Sequence, residues 1–61
     1  MTVSLEDQIK CVAREIKIRQ TVYPQWVRTG RMRQDTADVE IARMTAVLET
    51  LKGLQERGEQ R

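Results

Sequence analysis

Cys11 is the one thiol in the chain, and no histidine accompanies it. Thiolate chemistry needs a nearby base or cationic surroundings to keep the sulfur ionised, and histidine is the commonest base. Lys10 is next in sequence, but on a helix it points off at a different angle. Cys11 therefore reads as a small, partly buried hydrophobe. The carboxylates Asp35, Asp38, Glu40 and Glu49 raise the question of a metal centre. They lack the Glu-x-x-His pattern of di-iron helical bundles, and one thiol without histidine makes no tetrahedral zinc site. They read instead as a solvated helix face on which Glu40 and Arg43 are spaced for an i,i+3 ion pair. No catalytic residue, cofactor, metal or small-molecule substrate is expected.

Binding chemistry is better represented. The segment from Tyr23 to Arg33 holds both aromatic residues, the single proline and three arginines. Tryptophan, tyrosine and arginine are the types enriched where protein interfaces concentrate their energy. Tyr23, Trp26, Arg28, Arg31 and Arg33 are therefore the candidate partner-binding residues. The same arginines could contact phosphates. The competing reading puts Tyr23 and Trp26 in a helical core and leaves the arginines to solvate a turn. Charge sharpens the alternatives. Residues 8–34 carry seven bases against Glu15 alone, a net +6. Residues 35–61 are net −2, with six acids and four bases, and residues 1–7 add two acids. One end of the molecule is expected to be basic.

Two amphipathic helices position these residues. Ser4 followed by Asp7 resembles a capping box, and Glu6 and Asp7 suit the positive end of a helix dipole. Leu5, Ile9, Val12, Ile16, Tyr23 and Trp26 recur at alternating spacings of four and three, with Arg19 at the one polar step. That is a heptad-like seam. Cys11, Ile18 and Val22 form a thinner stripe about a third of a turn away at 100° per residue. A helix with two apolar stripes is expected to have two neighbours. Pro24 removes a backbone donor and its ring crowds the carbonyl of Gln20. Because the apolar register continues to Trp26 and Val27, a continuous helix kinked near Pro24 is expected over about residues 5–29. Gly30 can take the positive φ that closes a last turn, after which Met32 would fold back on Trp26 or Val27.

A turn over 30–33 leads to a second helix over about 34–57, although Arg33 is a poor N-cap. Ala37, Ile41, Met44, Leu48 and Leu51 repeat at four and three, and Val47 and Leu54 widen the stripe. Gly53 weakens the last turns by about 1 kcal/mol relative to alanine. Glu56–Arg61 is polar and is expected to fray.

The expected fold is all-α: one domain, an antiparallel helical hairpin over residues 1–61. A domain this small buries only about 60% of its unfolded surface and needs a staple. One cysteine excludes an internal disulfide, so oligomerisation remains. Pairing two hairpins into a dimeric four-helix bundle would cover both seams. The residues expected to self-associate are Leu5, Ile9, Val12, Ile16, Ile18, Val22, Ile41, Met44, Leu48 and Leu51. Unbroken apolar runs reach only two or three residues, so no membrane span is expected. The acids near the N-terminus stand where a secretory leader carries bases.

Three blocks of the chain resemble a family of very short proteins of tailed bacteriophages and prophages. They are Cys11-Val12-x-Arg14-Glu15-Ile16-x-x-Arg19, then Val22-Tyr23-Pro24-x-Trp26-Val27-x-x-Gly30-Arg31-Met32, then Ala37-Asp38-x-Glu40-Ile41-x-x-Met44-x-Ala46-Val47-Leu48. The resemblance covers most of residues 8–51. It implies a phage-encoded accessory protein of the bacterial host cytoplasm, with no mechanism attached. The family usually has Ser or Thr after Gly-Arg-Met, where this chain has Arg33. The resemblance therefore does not set the start of the second helix. The leading functional expectation is a homodimeric protein–protein interaction module that binds a host or phage protein. The alternative is a nucleic-acid-binding protein that uses the basic hairpin tip. A purely structural subunit of a larger helical complex is a third.

Overall fold

The computed structural model describes residues 2–58, and these form two helices with no strand among them. α1 spans Leu5–Arg28 and α2 spans Gln34–Glu56. Ser4 caps α1 in an extended conformation, and its hydroxyl accepts from the Asp7 amide at 3.0 Å. That bond satisfies one of the donors a helix start leaves free, and Glu6 and Asp7 complement the dipole there. Glu6 also reaches Lys10 one turn on, at 3.5 Å.

α1 runs through Pro24 as one helix. It ends as the glycine foretold. Gly30 has φ 82°, its amide donates to the Val27 carbonyl at 3.2 Å, and the Arg31 amide donates to Trp26 at 2.8 Å. This is the Schellman arrangement, which only a residue tolerant of positive φ completes cheaply. α2 starts without a side-chain cap, because Arg33 has no acceptor oxygen to offer. Arg33 instead turns its guanidinium to Asp35 at 3.3 Å. α2 closes at Gly58, whose amide donates to Gln55 at 3.0 Å. In the stretch expected to fray, residues 56–61, the helix ends at Glu56, Arg57 and Gly58 form a turn, and residues 59–61 lie outside the described residues.

The helices pack antiparallel. Tyr23, Pro24 and Val27 near the end of α1 face Gln34, Ala37 and Ile41 near the start of α2. Cys11 and Val12 near the start of α1 face Val47 and Leu51 toward the end of α2. Ile16, Tyr23 and Ala37 are the buried residues. The Tyr23 and Trp26 rings lean together with centroids 5.7 Å apart and planes at 38°. The methyl side chain of Ala37 lets α1 come close where the chain has just turned.

Enclosure stops there. Leu5, Ile9, Val12, Val22, Ile41, Met44, Leu48 and Leu51 are all half-buried, and no described side chain is fully enclosed. The molecule measures 45 × 20 × 16 Å with a radius of gyration of 14.1 Å. A compact chain of this length would have a radius of gyration near ~10.5 Å. The hairpin is a two-helix slab whose seams are each covered on one side only.

Candidate functional site

The two broad faces of the slab differ. The buried seam of α1 passes through Ile16 and Tyr23, and the buried seam of α2 through Ala37 and Leu48. With 100° per residue around those directions, Cys11, Ile18, Val22 and Trp26 fall on one broad face with Val47, Leu51 and Leu54. The open end of that face holds a shallow groove shared by both helices, lined by Val3, Asp7, Gln8, Cys11, Val12, Val47 and Leu51. Farther along, Ile18, Val22 and Trp26 line a second hollow beside Glu15 and Arg19. The opposite broad face carries none of the exposed large hydrophobic residues among those described. Its hollow sets Gln20, Gln34 and Asp38 around Tyr23, Pro24, Val27, Ala37 and Ile41.

The exposed large hydrophobic residues follow this division. Val3 is 50% exposed, Ile18 46%, Trp26 37% and Val47 48%, all on the apolar face. Val39 lies elsewhere, on the outer edge of α2 beside Thr36 and Arg43. The second stripe of α1 and the widened stripe of α2 thus merge into one patch. Isolated exposed apolar residues are ordinary, but a contiguous patch marks an interaction surface.

Asp7 brings a carboxylate to the groove on the apolar face, and two charge pairs lie farther along the chain. The Arg19 guanidinium bonds the Glu15 carboxylate and also the Glu15 carbonyl at 3.2 Å. The bond to Glu15, with a smaller contribution from Tyr23, raises the Arg19 pKa above its ordinary value. Arg43 meets Glu40 at 3.5 Å. Neutral pairs of this kind are easier to cover with a partner than single charges.

The hairpin tip is less concentrated than its sequence. Tyr23 is buried under the turn, whereas Arg28, Arg31 and Arg33 are exposed. Arg33 is taken up by Asp35, and Arg28 and Arg31 make no ion pair among the described residues. The other bases are spread along α1. Arg19 turns inward to Glu15, while Lys10, Arg14, Lys17 and Arg28 run down the outer edge of the helix. Arg14 lies 3.9 Å from the Cys11 sulfur, and Lys10 pairs with Glu6. Cys11 itself is exposed, with no histidine or carboxylate bonded to it. No group of three potential metal ligands comes together among the described residues.

Of the expected self-association residues, Ile16 lies inside the single hairpin and Ile18 outside it. Val22 lies on the broad apolar face and the remainder sit along the seam, each half covered. Val3 was the residue that periodicity missed, because it precedes the helix. Its position just before the Ser4 cap, where apolar residues commonly fold back on a first turn, was the signal available.

No protein-family model matches the sequence, and no curated protein or solved structure is similar to it. No described helix is long and apolar enough to cross a membrane.

Proposed function

We propose that this chain is a small protein–protein interaction module that works as a pair of hairpins. The observation that carries it is the one-sided slab: one broad face gathers the exposed Val3, Ile18, Trp26 and Val47, and the other carries no exposed large hydrophobic residue among those described. Pairing through the apolar face forms a dimeric four-helix bundle, with α1 bent near Pro24 to follow its neighbour. The outer edge of α1 and the tip arginines Arg28, Arg31 and Arg33 then remain available to a second protein. The bacteriophage resemblance supports a phage-encoded accessory role in the host cytoplasm, with a host or phage protein as the target. Sedimentation equilibrium across a wide concentration range tests the reading. A dimer whose thermal midpoint rises with concentration is expected. A monomer that melts cooperatively at every concentration refutes it.

A second reading rests on a different observation. Lys10, Arg14, Lys17 and Arg28 share one edge of α1, and Lys17, Arg28 and Arg31 make no ion pair among the described residues. Such an edge suits a phosphate backbone. Gel shifts at low and high salt decide it: steeply salt-dependent binding that Arg28→Glu with Arg31→Glu removes would support it. No shift at low salt excludes it.

A further inference from the structure

The apolar face is laid out so that a second copy of the same chain would fill it tip to tail. The first argument is area. The hairpin exposes 4858 Å² at 7.1 kDa. A folded monomer of that mass exposes about 4,100 Å². The surplus of roughly 800 Å² is what each partner contributes to a standard-sized stable interface.

The second argument is register. α1 spans Leu5–Arg28, so its middle lies between Ile16 and Lys17. A two-fold axis through that point brings the two copies of α1 together antiparallel. Trp26 then lies as far beyond the axis as Asp7 lies before it, about 14 Å at 1.5 Å per residue. Asp7 and Gln8 are walls of the groove at the open end. The large ring of Trp26 and the groove at the open end are thus symmetric about the centre of α1. A closed two-fold interface requires that self-complementarity.

The third argument is charge. Glu15 lies before the same axis and Arg19 beyond it, so each comes within one residue, about 1.5 Å along the helix, of its opposite in the other copy. Superposing the tips would instead crowd Arg28 and Arg31 of both chains.

We propose that two hairpins pair antiparallel through this face, each Trp26 seated in the other's groove between Val3, Asp7 and Cys11 near the start of α1 and Val47 and Leu51 of α2. This rests on the interaction-module reading and gives its pairing a face, an orientation and an anchor. Trp26 belongs to self-association, and the arginines alone remain at the tip.

The single tryptophan and single cysteine make the test direct. A nitroxide on Cys11 sits about 22 Å along α1 from Trp26 of its own chain. In the tip-to-tail pair it lies next to Trp26 of the other chain. Unlabelled protein is mixed with labelled protein, and Trp26 emission is read against concentration, with sedimentation on the same samples. Quenching that grows as dimer forms supports the proposal, as does a blue shift of unlabelled Trp26 over the same range. A dimer with neither change overturns it while leaving the pairing reading intact. A monomer throughout refutes both. A label on Val3→Cys in a Cys11→Ser chain, at the rim of the groove, serves if the Cys11 label blocks pairing. Ile18→Asp should raise the dimer Kd at least tenfold, whereas Val39→Asp should leave it within twofold. Equal effects of the two would also overturn the assignment.

Discussion

One substitution made at two positions should change stability in opposite directions. Gly53 is inside α2 with ordinary helical φ, and a Cβ there would meet nothing closer than the Arg57 guanidinium at 3.8 Å. That is normal contact, so Gly53→Ala removes the conformational cost of glycine at no steric penalty. A gain of about 1 kcal/mol follows. Gly30 has φ 82°, and an added Cβ would meet nothing within 4 Å. Space is therefore not at issue there, and the cost of Gly30→Ala is the left-handed backbone alone, about 1–2 kcal/mol. For a chain this short each kcal/mol moves the melting midpoint by roughly 4–8 °C. Circular dichroism melts at one fixed protein concentration should show Gly53→Ala higher and Gly30→Ala lower than the parent. Holding concentration fixed matters because the proposed pairing would add its own dependence. If both variants moved the same way, the assignment of Gly30 as the closing residue of α1 would be wrong. If Gly53→Ala lost stability, the placement of Gly53 within a regular helix would be.

Other expectations follow from the helix ends and from Pro24. Ser4→Ala should lose about 1 kcal/mol, because the Asp7 amide loses its acceptor, and urea titration reads it. Arg33→Ser gives α2 the cap it lacks and should add about 0.5–1 kcal/mol, since the exposed pair with Asp35 that it removes contributes little. Pro24→Ala restores a backbone donor to the Gln20 carbonyl and should raise helicity and thermal midpoint. If the bend serves pairing, the same variant weakens the dimer in sedimentation.

The hairpin was legible because its signals are local. Ser4, Gly30 and the spacing of Ile9, Val12 and Ile16 each act within one or two turns of helix, and sequence displays such distances directly. The merging of two stripes into one face was not. It depends on how far each helix is rotated against the other, which the packing of Ile16 and Tyr23 against Ala37 decides. Cys11 and Val47 are far apart in the chain, and nothing in either segment announces that they share a groove. The placement of charge was hidden for the same reason. Seven bases in residues 8–34 suggested a basic end; Arg28, Arg31 and Arg33 are exposed at the turn, while Arg19 pairs with Glu15 and Lys10, Arg14 and Lys17 spread along α1. Asp35 follows the turn closely enough to take Arg33.

A slab 16 Å through is one helix pair deep, so every peptide group lies within a single side chain of bulk water. Deuterium should therefore replace amide hydrogen quickly along the whole of a solitary hairpin, with no slow-exchanging nucleus in either helix. Any amide of α1 or α2 that keeps its proton for hours would be reporting the presence of whatever lies against the slab.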